Sequence, residues 1–269
     1  MEWSFFGSEI YVFLFVVAIV AGFIDSIAGG GGLLTIPALL SAGIPPVQVL
    51  ATNKLQAVGG SFSASVYFIR RGVVDWRSQR FAIAMTLIGA ILGALMVQFL
   101  SPDFLRYLLP VLVMIIGLYF LLVPNIGAED RKQRLGPLAF GCLAGCGIGF
   151  YDGVFGPGVG SFFALSYVML CGYNLAKATA HAKVLNFASN IGALGFFILG
   201  GQVLWLVGFV MLIGQIIGAR LGAGLVLSKG QKLIRPMLVT ISFLMSIKLL
   251  YEHHGETIHS WLAFYFNII

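Results

Sequence analysis

The 269-residue sequence predicts an all-α polytopic membrane protein built as an inverted-topology repeat of two halves. Three observations carry that expectation. Charged residues make up 10% of the chain and hydrophobic ones 59%, whereas a soluble domain needs about a quarter of its residues charged to cover a water-facing surface. Apolar runs long enough to cross about 30 Å of hydrocarbon recur from end to end. Short motifs of the first half also return in the same order in the second, at a nearly constant offset.

Each half contains five apolar segments: 10–24, 33–42, 47–69, 81–100 and 104–123, then 137–151, 161–170, 176–199, 203–226 and 233–251. At about 1.5 Å per residue the last three of each half are long enough to span the bilayer, and the short second ones are not. The chain thus divides into a first membrane repeat (1–123), a cytoplasmic linker (124–136), a second membrane repeat (137–251) and a C-terminal tail (252–269). In the tail, Trp261, Phe264, Tyr265 and Phe266 suit an interfacial helix. The opening Met-Glu-Trp-Ser lacks the basic region of a signal peptide, so the first apolar segment is expected to stay in the mature chain.

The internal repeat reads as follows. Gly22-Phe23-Ile24-Asp25 is answered by Gly149-Phe150-Tyr151-Asp152, Gly43 by Gly172, and Lys54 by Lys183. Gly72 to Trp76 is answered by Gly201 to Trp205, Gly89-x-x-x-Gly93 by Gly214-x-x-x-Gly218, and Leu105-Arg106 by Ile234-Arg235. Loop charge then orients the copies. Arg70, Arg71, Arg77 and Arg80, and in the linker Arg131, Lys132 and Arg134, mark cytoplasmic loops. Gly200-Gly201-Gln202, the counterpart of the first loop, has no charge, while Lys229, Lys232 and Arg235 assign the next loop to the cytoplasm. The second copy is therefore upside down, both termini lie on the non-cytoplasmic side, and the expected location is the cell (inner) membrane.

Inversion requires an odd number of crossings per half. The first pair of segments in each half must then form a re-entrant or broken hairpin, turning at Asp25 with glycines 29–32 and at Asp152 with 156–160. Such backbone is tolerated at membrane depth only when buried in protein or lining a cavity.

Two hairpins entering from opposite faces bring helix N-termini together, and their free N–H groups suit an anion. The substrate-binding candidates follow: the backbone at Gly29, Gly30, Gly31, Gly156 and Gly158, and the cations Lys54 and Lys183, each about 10 Å inside its helix. Thr179, Lys183, Asn186 and Asn190 form a polar stripe, and Asn53 flanks Lys54. A purely structural alternative pairs Lys54 with Asp25 and Lys183 with Asp152, and reads the Gly89/Gly93 and Gly214/Gly218 motifs as helix-packing contacts. Asp25, Asp152 and His181 are the candidate proton carriers, with a hydrogen-bonded core histidine as the competing reading of His181.

Other chemistry finds little support. Cys142, Cys146 and Cys171 suit packing rather than a metal or a disulfide, and His253, His254 and His259 suit a solvated tail, so no metal or cofactor is expected. No HExxH, GxSxG or nucleophile with a base at a known spacing occurs, and no strand precedes 156–160 to make it a dinucleotide fingerprint, so no catalytic residue is assigned. The net charge of +6 comes from bases in short loops, which are topology signals rather than a nucleic-acid footprint.

The blocks AGFIDSIAGGGGLLTIPAL (21–39), ATNKLQAVGG (51–60), GFYDGVFGPGVGSF (149–162), NLAKATAHAKVLN (174–186) and LSKGQKLIRPM (227–237) resemble the TauE/SafE family of membrane transporters, with its YfcA branch nearest. The resemblance extends over residues 18–251. It implies a permease or exporter for small sulfur-containing anions such as sulfonates, sulfoacetate or sulfite. The partners are then a small anionic substrate, the lipid bilayer and a proton as candidate coupling ion, with no nucleic acid and with a homo-oligomer left open. A passive anion channel and, with less support, a membrane-embedded enzyme remain the alternatives.

Overall fold

The computed structural model describes residues 8–96 and 127–241, with positions 115, 118, 121, 122, 243 and 244. The segment expected at 104–123, apart from those positions, and the tail at 252–269 with its histidines lie outside the described residues. So does the Leu105-Arg106 motif. The helices are α1 (Ser8–Ala28), α2 (Gly32–Ser41), α3 (Pro46–Arg70), α4 (Arg80–Met96), α5 (Pro137–Val154), α6 (Val159–Cys171), α7 (Leu175–Leu199), α8 (Trp205–Lys229) and α9 (231–241). Among the described residues there is no strand.

Local sequence explains where these helices start and stop. α1 ends where Gly29 adopts a left-handed φ of 72°, open to glycine at little cost, and Gly29 N–H still bonds Asp25 O at 2.8 Å. Pro46 at the first position starts α3, and the Asn174 side chain caps α7 by accepting from Lys177 N–H at 2.9 Å. α5 contains a π-helical stretch over Gly141–Cys146, and α6 ends in another over Tyr167–Cys171. Neither was expected from the sequence.

The first two helices of each half fold back on one another. Leu14 and Ala18 of α1 share a buried cluster with Ala38 and Leu39 of α2. In the second pair the Phe140 ring meets Tyr167 at 4.5 Å and the Tyr151 ring meets Phe162 at 5.1 Å, a spacing that only an antiparallel pair allows. α1, α5, α7 and α8 are long and apolar enough to cross a membrane. α3 has the length, 25 residues, but Asn53, Lys54 and Gln56 make it too polar to be recognised by hydropathy.

Burial is arranged inside out. Val12, Val16 and Val20 form an exposed apolar row on α1, and Phe209, Ile213, Ile217 and Leu221 form another on α8, whereas Lys54, Asp152, Lys183 and Gln215 are buried. An apolar exterior around a charged interior belongs in lipid, not in water. Close contacts knit the elements together. α1 packs mainly on α8, and α4 on α5. Gly214 and Gly218 of α8 lie directly against the α1 backbone at Phe15 and Ile19, while Gly89 and Gly93 of α4 lie against α5 at Cys146 and Phe150. A Cβ at any of these four glycines would overlap the facing main chain, so the helices approach as small-residue pairs do.

Candidate functional site

The two hairpin turns meet. Gly29 lies against Gly160 and Ser161 at the start of α6, with no room for a Cβ between them, and Ser161 Oγ donates to Ala28 O at 2.5 Å. Beside this contact is a cavity of about 30 Å³, room for about one or two water molecules. Gly31 and Gly32 from the start of α2 and Gly158, Val159 and Gly160 from the start of α6 contribute to its wall. A helix start leaves N–H groups without intrahelical partners and carries the positive end of the dipole. Two such ends therefore open on one small space.

Two lysines reach the same region from α3 and α7, which pack side by side. Lys54 is 2% exposed and Lys183 1%. Lys54 Nζ donates to Asp152 Oδ1 at 2.6 Å and to Asp152 O at 2.5 Å, and Lys183 Nζ donates to Asp25 Oδ2 at 2.8 Å. The pairing expected from the sequence is thus corrected: each lysine takes the aspartate of the other half. The reason is geometric, since the turns face each other and each carboxylate projects toward the helix opposite rather than back along its own half.

The remaining donors divide between the two carboxylates. Asp25 Oδ1 accepts from Gly31 N–H at 3.2 Å, so this carboxylate already holds both a lysine and a helix-start amide. Asp152 Oδ2 accepts from Ser189 Oγ. Neutral amides complete the surroundings. Asn53 Oδ1 accepts from Thr35 Oγ1 and Gln56 Nε2, both at 2.7 Å, and Gln215 Nε2 donates to Gln56 Oε1 at 3.1 Å. Asn190 Nδ2 donates to Asn186 O at 2.8 Å and to its Oδ1 at 2.9 Å. Among the described residues no group of His, Cys, Asp or Glu could hold a metal ion. The site thus gathers helix-start amides, two lysines and two carboxylates around one small cavity.

Residues 14–249 match the family described as Sulfite exporter TauE/SafE. The chain belongs to the TauE/SafE family. It is 64% identical over 250 residues to a protein of Escherichia coli (strain K12) named probable membrane transporter protein YfcA, with 93% of each chain covered. A Haemophilus influenzae protein named probable membrane transporter protein is 53% identical over 246 residues, covering 91% of this chain and 96% of its own. Bacillus subtilis YunE, named in the same terms, is 22% identical over 267 residues, covering 90% of this chain and 98% of its own.

In this TauE/SafE chain most of the residues singled out from sequence come together. Asp25, Gly29, Gly31, Asn53 and Lys54 line the cavity from the first half, and Asp152, Gly156, Gly158, Asn186 and Asn190 from the second. Lys183 joins them through Asp25. Gly30, Thr179 and His181 are not part of the lining. Thr179 is buried, its hydroxyl without a hydrogen-bond partner among the described residues. His181 Nδ1 lies 2.8 Å from Lys177 O, and its ring packs on Tyr173 at 4.7 Å and Tyr167 at 5.5 Å, which is the setting of a core histidine. Sequence reading passed over Gln215, Ser189 and Ser161. A lone amide within the apolar run of α8 was a signal for Gln215, whereas serines in membrane helices are too common to mark the other two.

Proposed function

We propose that this TauE/SafE protein is a secondary transporter, a permease or exporter for small organosulfur or sulfur oxyanions such as sulfonates, sulfoacetate or sulfite. It works by alternating access around an anion site formed by Lys54, Lys183 and the helix starts at Gly29 to Gly31 and Gly156 to Gly158. The observation that carries this reading is the crossed tie of Lys54 to Asp152 and Lys183 to Asp25 at the meeting turns. Asp25, held by a lysine and a backbone amide, behaves as an internal stand-in for the substrate anion. Asn53, Asn186 and Asn190, which line the cavity, supply further polar groups toward an oxyanion. The description of the family as sulfite exporters supports a sulfur oxyanion.

In this reading 1–123 and 137–251 are inverted copies joined by the cytoplasmic linker 124–136, in the inner membrane with both termini outside. The reciprocal contacts of α1 with α8 and of α4 with α5 support that relation, because equivalent glycine motifs serve equivalent contacts. The cavity is too small for a sulfonate, so the turns must part to admit one. A substrate that takes a lysine displaces its aspartate. A displaced carboxylate inside the protein is a stranded charge unless it takes up a proton, so anion and proton enter together. Such ties with so small a cavity favour gated exchange over a standing pore.

The test uses proteoliposomes and radiolabelled sulfoacetate, whose sulfonate stays charged across the working pH range. A proton gradient drives accumulation by the wild-type protein. Asp152→Asn and Asp25→Asn variants are expected to lose gradient-driven accumulation and retain anion exchange, since an amide can bind but cannot release a proton. Folded variants that keep wild-type pH dependence would remove the aspartates from the mechanism, and ohmic currents without counterflow would make the protein a channel.

A further inference from the structure

The linker bases do more than mark topology: we infer that residues 131–134 and the end of α6 form a binding pocket for a net-anionic phosphate group. A cavity of about 320 Å³ lies between them, lined by Arg131, Lys132, Gln133 and Arg134 with Val168 and Met169 as an apolar floor. This volume is at the lower end of the range for small-molecule sites. It exceeds a bare phosphate and leaves room for what the phosphate is esterified to.

The wall is fixed by main-chain bonds rather than by chance placement of side chains. Arg131 N–H donates to Gly172 O at 2.6 Å, and the N–H groups of Arg134 and Leu135 both donate to Leu170 O, at 2.9 and 3.0 Å. Leu175 N–H returns a bond to Gly127 O at 2.8 Å. Asp130, the nearest carboxylate along the strap, is committed elsewhere: it accepts from Asn174 N–H at 2.6 Å and pairs with Lys177 at 3.7 Å. Arg131, Lys132 and Arg134 are left with no ion pair among the described residues. The loop at 70–80 contrasts with this, for there Arg71 lies over the Tyr67 ring and Arg77 and Arg80 over Trp76. Three arginines lie on aromatic faces in that loop, whereas the three linker bases surround a cavity.

Three donor-only cations on one side of a pocket ask for an anion with several oxygens, and guanidinium forks match phosphate geometry. The apolar floor suits a glycerol or acyl portion. The pocket adjoins the start of α7, a spanning helix, and so lies where a bilayer's anionic headgroups are found. Both an anionic phospholipid and free phosphate offer the required chemistry.

The experiment follows the melting temperature of purified full-length protein against short-chain phosphatidylglycerol, inorganic phosphate, or short-chain phosphatidylcholine, whose phosphate is neutralised by its own choline. The same titrations are made on an Arg131→Gln, Lys132→Gln, Arg134→Gln variant and on an Arg71→Gln, Arg77→Gln control. Stabilisation by phosphatidylglycerol or phosphate, with apparent affinity roughly tenfold weaker in the linker variant and unchanged in the control, is expected from loss of a screened charged hydrogen bond. Response to phosphatidylglycerol alone identifies a lipid headgroup, and response to inorganic phosphate shows that the free ion suffices. Equal stabilisation by phosphatidylcholine, no response to either anionic ligand, or an equal loss in the control overturns the inference. If the triple variant does not fold, Lys132→Gln alone provides the same comparison.

Discussion

Removing one partner of a buried ion pair strands the other, at a cost of about 3–5 kcal/mol. Lys54→Met is therefore expected to destabilise the protein by that order, and adding Asp152→Asn should restore most of the loss. Adding Asp25→Asn should not, because Asp25 answers to Lys183. A double-mutant cycle read by thermal unfolding checks this, and equal rescue by both asparagines would contradict the crossed pairing. The four charges were legible in the sequence, since ionisable residues inside apolar helices are conspicuous. Their partners were not. Spacing along a helix gives the depth of a lysine but says nothing about which turn lies across from it. His181 was ambiguous for a related reason: its place in the polar stripe was readable, whereas the Tyr173 and Tyr167 rings that enclose it come from the preceding hairpin.

Helices meet here through glycine. At Gly218 an added Cβ would fall onto Ile19 O of α1, so Gly218→Val is expected to cost about 1–3 kcal/mol through overpacking. The same substitution at Gly147, where a Cβ meets nothing within 4 Å, should cost little or nothing, because valine is no poorer a helix former than glycine. Melting temperatures of the two variants decide the matter, and similar values would mean that the α1–α8 contact is looser than described. Element boundaries were largely visible beforehand because Gly and Pro punctuate apolar runs: α2 occupies Gly32–Ser41 against an expected 33–42. The π-helical stretch in α5 was not visible. One extra residue per turn leaves no trace in a run already apolar on every face.

At the scale of the whole molecule, the proposed inversion of the two halves makes a directional prediction. Single cysteines placed in the linker near Arg131 and in the loop at Gln202, in an otherwise Cys-free protein, should be labelled from opposite sides of the membrane. Labelling from one side would defeat the inversion and with it the two-sided site. The hairpins and the duplicated motifs were readable in the sequence, whereas the meeting of the two turns depends on how the halves interlock. The most direct measurement of the central claim is sulfoacetate binding by purified wild-type protein and by a Lys54→Met, Lys183→Met variant shown to be folded. Losing charged hydrogen bonds worth about 1.5–3 kcal/mol each should weaken binding by at least about tenfold. A folded double variant that binds and moves the anion with wild-type affinity would contradict the placement of the site.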